Sequence, residues 1–280
     1  MKMKKIIFSV TILLSFCGAA HAQNKNPLKL KEGQKFTIES HVNTHSTTEV
    51  QGQSMENTAD ISATYSIVVN SVGDSIKLTN TITGMKMLMS QMGQEMNFDS
   101  EKKEDLDGPL GASVKGLLNN PQKVTVSKTG EVADNANGDS LAATNMITKQ
   151  LGGFEASGFG ASMAFMALPA KLKTGDTWTT KAGSDGNLTE TTYTVKSISG
   201  DLATLSGSGT NSSEIKMEQM GMEMTIHGKG TSTGELLVNI TTGVIQSNTT
   251  TQDITGTVDA MGQSFPTKTK MTSTTTVKML

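Results

Sequence analysis

Arginine is absent from the 280 residues, cysteine and tryptophan occur once each, and tyrosine occurs twice. Each shortage removes a class of function. Without arginine forks or a basic patch to grip phosphates, nucleic acid is excluded as a partner. The single cysteine, Cys17, lies in the N-terminal apolar stretch, so the remainder has neither disulfide nor thiolate chemistry and must be held by its core. After that stretch no segment reaches the about 18 apolar residues that a spanning helix needs. The few aromatics also argue against a barrel in an outer membrane, whose outward face wears aromatic girdles at both interfaces.

What is present begins with an export signal. "MKMKK" is a basic start, "IIFSVTILLSF" an apolar run too short to span a bilayer, and "AHA" before Gln23 supplies small residues where a signal peptidase cuts. Cleavage after Ala22 is therefore expected, leaving about 258 residues and, with Lys2, Lys4 and Lys5 lost, moving the formal charge from -2 to -5. Lipid attachment at Cys17 is the competing outcome, but the residue before an acylated cysteine is normally small and here it is Phe16. The expected product is exported to the periplasm, the cell envelope or the medium, without lipid.

The mature chain repeats itself. "KLKEGQKFT" at 29 to 37 returns as "KLKTGDTWT" at 171 to 179, and "TYSIVVNSVGDSIKLT" from Thr64 returns as "TYTVKSISGDLATLS" from Thr192. "MSQMGQEMNFDS" at 89 to 100 returns as "MEQMGMEMTIHG" at 217 to 228, and "VSKTGEV" at 126 to 132 as "NITTGVI" at 239 to 245. The offset is 128 at the third match and 113 at the fourth, so the first half carries an extra segment near residues 101 to 120. Such ordered self-similarity is the first thing to read in any chain. It divides this one into a signal peptide (1 to 22), a first β-repeat with a helical insert (23 to 139), a helical and glycine-rich connector (140 to 168) and a second β-repeat (169 to 280).

The repeated unit reads as strand, because threonine and valine are frequent and polar and apolar residues alternate in "FTIES", "YSIVV", "KVTVS" and "YTVKS". If Gly93 and Gln94 form a two-residue turn with glycine first, Met92 pairs with Glu95 and Met89 with Phe98. Met85, Met87, Met89, Met96 and Phe98 then share one face, since paired and alternate residues lie on the same side. The second copy puts Ile215, Met217, Met224 and Ile226 on one face in the same way. These nine residues are the candidate ligand-binding surface. Leu106, Leu110, Val114, Leu117 and Leu118 fall at helical spacing in the insert, and residues 140 to 151 and 161 to 168 suggest further short helices. The expected fold is mainly β: an extended, curved antiparallel sheet built from two homologous repeats, with short helices inserted mid-chain.

Catalytic motifs fare poorly. Gly138 to Leu141 spell GDSL, the nucleophile block of an esterase family, but a serine needs a histidine base, and none of His41, His45 and His227 has an aspartate three residues before it. A helix cap explains the block better. Alternating Met85, Met87 and Met89 suit Cu(I), yet an apolar face needs the same residues and no histidine joins them. Asp99, Glu101, Glu104, Asp105 and Asp107 lack the order of a calcium loop. No catalytic residue, metal site or cofactor is therefore assigned, and the chain is read as a non-enzyme.

The export signal, "LKLKEGQKF", "GMKMLMSQMGQEMNFDS", "LPAKLKTGDTW" and "YTVKSISGD" together resemble an uncharacterised family of exported proteins of unknown function from Gram-negative, Bacteroidetes-type bacteria. The resemblance implies compartment and architecture and brings no site residue with it. Two readings of function stay open. In one, the sheet curves around an apolar groove that holds a lipid or other hydrophobic molecule, for which flexible methionines make an adaptable lining. In the other, the same faces form the dry core of a structural module of the envelope.

Overall fold

Threonine, valine and isoleucine at alternate positions do form strands, and the computed structural model, which describes residues 25–50, 52–91, 94–133, 159–184, 187–219, 222–260 and 262–280, is mostly antiparallel sheet. In chain order the elements are β1 (Lys35–Val50), β2 (Gln53–Val72), β3 (Ser75–Gln91), β4 (Gln94–Asp99), α1 (Lys103–Asp107), α2 (Pro109–Val114), β5 (Gln122–Ser127) and β6 (Val132–Ala133). There follow α3 (Phe159–Ala164), β7 (Thr177–Ser184), β8 (Asn187–Ser199), β9 (Leu202–Gln219), β10 (Met222–Asn239), β11 (Ile245–Ala260) and β12 (Gln263–Met279). All twelve strands join one curved sheet in the order β6-β5-β3-β2-β1-β12-β11-β10-β9-β8-β7, with β4 also beside β3. Among the described residues β6 and β7 do not pair with each other, so the sheet is open.

The strand turns explain the sheet's upper rim. Pairs Val50↔Gln53, Gln91↔Gln94, Ser184↔Asn187, Gln219↔Met222 and Ala260↔Gln263 each leave two residues between them, and the second is always glycine. Gly52 and Gly262 have φ of 79° and 74°, the left-handed conformation that the second residue of a type I′ hairpin requires. The expected turn at Gly93–Gln94 is thus corrected. Met89 pairs with Met96 and Met87 with Phe98. Glycine goes second because a type I′ turn matches the right-handed twist of the flanking strands. The register moves by two, so the deduced faces survive.

At the opposite end two similar segments form the same local turn. In "KLKEGQ", Gly33 (φ 81°) is the third residue of a turn closed by Gln34 N–H donating to the Lys31 carbonyl, and the Lys31 N–H donates to Gln34 Oε1 at 2.7 Å. In "KLKTGD", Gly175 (φ 92°) sits in the same turn, with the Lys173 N–H on Asp176 Oδ2 at 2.8 Å. Both turns then dock on the neighbouring strand, Gly33 N–H on the Val69 carbonyl and Gly175 N–H on that of Val195. On the side away from β8, strand β9 is partnered along its length by β10 alone, whereas β3, on the side away from β2, is partnered by β4 above and β5 below. Residues 100 to 121, including α1 and α2, leave the sheet between those two pieces.

One face of the sheet, here the inner face, carries the core. In the first half Phe36, Ile38, Ile67, Val69, Ile76, Leu78, Val124 and Val126 are buried with Ala161, Ala164 and Phe165. Phe165 meets the Phe36 ring edge-on with centroids 5.4 Å apart. In the second half Trp178, Val195, Leu205, Leu236, Val238 and Ile245 are buried with Leu168. The segment from α3 to Pro169 therefore lies across the inside of the lower sheet, bridged at Phe165 to Val244 and at Pro169 to Lys25. Each fully buried aliphatic or aromatic side chain here contributes about 1.5 to 3 kcal/mol, so the contact between this plug and the sheet is a major source of stability. The expected helix over 161 to 168 is the shorter α3, and the helix expected over the insert is broken at Gly108 into α1 and α2. Expectations for residues 1 to 22, for the GDSL block and for a helix at 140 to 151 lie outside the described residues.

Candidate functional site on the inner face of the upper sheet

The strands outrun their core. On β1 the last fully buried side chain is Val42, on β2 the first is Ala63, and on β12 the first is Thr275; above them the inner face is half-buried up to the turns. The outer face is largely polar in this region, with Leu88 and Leu188 as exposed exceptions. Its cross-strand neighbours include His41 opposite Ser62, Asn43 opposite Asp60, Lys270 opposite Asp253 and Glu39 joined to Lys278 at 3.0 Å. A sheet that faced lipid would need an apolar band there. Among the described residues no helix is long and apolar enough to cross a membrane.

The nine residues proposed from sequence separate into two groups. Met85, Met87 and Phe98 are buried and pack with Val114 and Leu117 of the insert, with Ile61, Ile82, Leu106, Leu110 and Leu118 around them. Met89 is half-buried and Met96, 38% exposed, lies nearer the rim. The second group has the same register, Met217 opposite Met224 and Ile215 opposite Ile226. Ile226 is half-buried, and the row continues through Val258 on β11 to Phe265 on β12, both half-buried as well. Val258 and Phe265 escaped the sequence reading, because residues were paired only within one hairpin while the row crosses from β10 to β12.

Below that row the inner face turns polar. Ser46, Thr48, Thr267 and Thr269 form a hydroxyl ladder, with Thr48 Oγ1 3.2 Å from Thr267 Oγ1 and Thr269 Oγ1 3.0 Å from Ser46 Oγ. Asn211 Nδ2 donates to Gln252 Oε1 at 3.0 Å. Among the described residues Ser40 Oγ, Asn57 Oδ1, Asn80 Oδ1 and Asn211 Oδ1 are buried without a hydrogen-bond partner, and the registers put all four on this face. A buried acceptor left unmade costs about 1 to 3 kcal/mol. Glycines line the same face on β9 to β11, where neighbouring atoms approach the backbone closely: a Cβ on Gly230 would stand 2.6 Å from Asn211 Oδ1 and from the Asp253 carbonyl.

Chemistry on the outer face has the wrong order for catalysis. Ser264 donates to Asp259 Oδ1, whose other oxygen lies 3.3 Å from His227 Nε2, so a carboxylate separates serine from histidine, where a hydrolase needs the histidine between. His41 pairs with Asp60 at 3.1 Å. Lys86 bridges Glu101 at 2.8 Å and Asp99 at 3.3 Å. Its hydrogen bonds to Glu101 and Asp99 push the ammonium pKa up. The N–H of Glu101, followed by Lys86, holds the Asp99 carboxyl below its ordinary range. Burial pushes the Tyr65 phenol up, and that of Tyr193 too, where a Thr180 hydrogen bond opposes it; Tyr193 stacks on Trp178 with centroids 5.4 Å apart. Among the described residues no three His, Cys, Asp or Glu side chains are grouped to hold a metal.

Residues 73–245, from the β2–β3 turn to the start of β11, match the profile described as a family of unknown function, DUF6263. The chain belongs to this family. The DUF6263 match includes "GMKMLMSQMGQEMNFDS", "LPAKLKTGDTW" and "YTVKSISGD", three of the segments on which the sequence resemblance rested. No curated protein matches. Among solved structures the chain is faintly similar to an outer membrane channel from Pseudomonas putida F1, with 9% identity over 90% of this chain and 98% of that one and a TM-score of 0.26. OmpF of Salmonella typhi in complex with daunomycin gives 10% identity, 90% and 100% coverage and 0.23. OpdQ of Pseudomonas aeruginosa gives 7%, 90% and 100%, and 0.21. Likenesses this faint carry no argument about what the DUF6263 fold does.

Proposed function

We propose that the protein is a non-enzymatic protein of the cell envelope that holds a hydrophobic ligand against the inner face of β9 to β12. The observation that carries this reading is the half-buried row Ile226, Val258 and Phe265, backed by a charged outer face and extending strands beyond the length that the plug needs. Ile215, Met217 and Met224 extend the row by register. Support for export, cleavage after Ala22 and absence of lipid is the "MKMKK…AHA" pattern. Support for a non-enzymatic role is the placing of His41 and His227 on the outer face, each spent on a carboxylate.

A purely structural role is the second reading, and in the first half a specific observation favours it: Met85, Met87 and Phe98 are filled by Val114 and Leu117 and leave no groove. Titration with an apolar fluorescent dye separates the two. A ligand-holding face gives saturable binding that Phe265→Asp and Ile226→Asp abolish while far-ultraviolet circular dichroism stays unchanged; no saturable binding to the wild type would leave the structural role.

A further inference from the structure

No linear run of lysines marks the chain, yet the end of the molecule opposite the glycine hairpins is basic. "KLK" occurs at 29 to 31 and again at 171 to 173, and each time the leucine turns inward: Leu30 is buried in the core of the first half, and Leu172 packs against that of the second. The flanking lysines are thereby held outward. Lys29, Lys31, Lys171 and Lys173 are all exposed, as is Lys35 where β1 begins. Backbone bonds gather these stretches at one end, because the Lys29 N–H donates to the Thr242 carbonyl in the β10–β11 turn and Lys25 bridges Pro169, two residues before Lys171. Among the described residues none of the five lysines makes an ion pair, whereas Lys25 and Lys278 are joined to Glu131 and Glu39.

Exposed apolar side chains lie among these lysines. Val72, beside the β2–β3 turn, is exposed, and Met279 and Leu280 at the end of β12 are 66% and 78% exposed. The Leu280 N–H donates to the Lys35 carbonyl and Gln34 Nε2 lies 3.7 Å from Met279 Sδ, so both sit against the turn that follows the first "KLK". We infer that this end docks on an anionic phospholipid surface, with the lysines toward the headgroup phosphates and Val72, Met279 and Leu280 entering the boundary beneath. Lysines interleaved with exposed apolar side chains are the chemistry of such a contact. A soluble polyanion would meet the charges and leave Met279 and Leu280 in water. The opposite rim offers no such attraction, since the exposed Glu49 and Glu95 stand beside its turns. The inference is independent of the ligand-holding reading, because the inner face of the upper sheet takes no part in it.

The test is co-sedimentation of the full mature protein with vesicles of phosphatidylcholine and phosphatidylglycerol in equal parts, beside vesicles of phosphatidylcholine alone. Binding to the anionic vesicles only is expected, and it should fall as NaCl rises from about 0.05 to about 0.5 M, because screening shortens the reach of each charge. A lysine beside such a surface is worth about fivefold, so Lys31→Glu with Lys171→Glu should weaken binding at least about tenfold. Lys229→Glu with Lys268→Glu, exposed on the outer face of the upper sheet, changes net charge equally and should leave binding unchanged. Met279→Ser with Leu280→Ser should weaken it while keeping the salt dependence. The lysine-to-glutamine pair at residues 31 and 171 serves if the glutamate pair alters the far-ultraviolet circular dichroism. No binding to the anionic vesicles, equal binding to phosphatidylcholine alone, or equal loss in both lysine pairs would each overturn the docking surface. Retention on heparin without vesicle binding would overturn it too, and would make the partner a soluble polyanion.

Discussion

Replacing Met87 tests the roofed hairpin at its centre. Met87 is 3% exposed and packs with Phe98, Val114 and Leu117, whereas Leu88, the next residue, is 52% exposed on the outer face. Met87→Ala removes three heavy atoms from a filled cluster, so the lost transfer energy adds to a cavity term, and such truncations cost about 2 to 5 kcal/mol. The cluster lies beside the insert, which can close partway, so we expect the lower part of that range, about 2 to 3 kcal/mol. For a domain of this size that is a fall in Tm of about 4 to 12 °C. Leu88→Thr should change stability by less than about 0.5 kcal/mol. Urea denaturation of both variants, with Leu117→Ala and the Met87→Ala/Leu117→Ala pair, completes a double-mutant cycle whose coupling should reach about 0.5 kcal/mol or more. Equal losses at residues 87 and 88, or additive losses at 87 and 117, would refute the packing of the insert on this hairpin.

Gly256→Ala should destabilise strongly, because its Cβ would collide with the His227 carbonyl oxygen, while Gly116→Ala, with open space around it, should be near neutral by the same denaturation assay. Gly52→Ala and Gly262→Ala should each cost about 1 kcal/mol through their positive φ, and the corresponding asparagine variants less. Asp99 should titrate below the ordinary carboxylate value by NMR, and Lys86→Met should raise it. Because its folded pKa is depressed, the stability it contributes is present above the unfolded value of about 3.9 and is lost as pH falls through the lower folded value. Tyr65 should stay protonated in the native state well above pH 10, the ordinary tyrosine value, and ionise only as the protein unfolds, a lag visible in an ultraviolet alkaline titration.

Much of this architecture is legible in the sequence because strand periodicity is robust. The faces of the two hairpins follow from alternation alone, and a register error of two leaves every residue on its proper side. The turn position is not legible in the same way. "MGQ" satisfies a turn with glycine first or second, and only the twist of the flanking strands selects the second. The extra segment near 101 to 120 shows in the change of offset, but that Val114 and Leu117 fold back onto Met87 is a long-range contact no local pattern announces. Val258 and Phe265 stayed hidden for a related reason: the row crosses from β10 through β11 to β12, and only pairing beyond a single hairpin brings the three strands together.

Native mass spectrometry of the mature protein purified from its own cells, beside its Phe265→Asp variant, tests the central claim most directly. The half-buried row of Ile226, Val258 and Phe265 predicts a non-covalent adduct on the wild type that the variant lacks, at unchanged charge-state distribution. A clean unliganded mass for both proteins under the gentlest desolvation would contradict it.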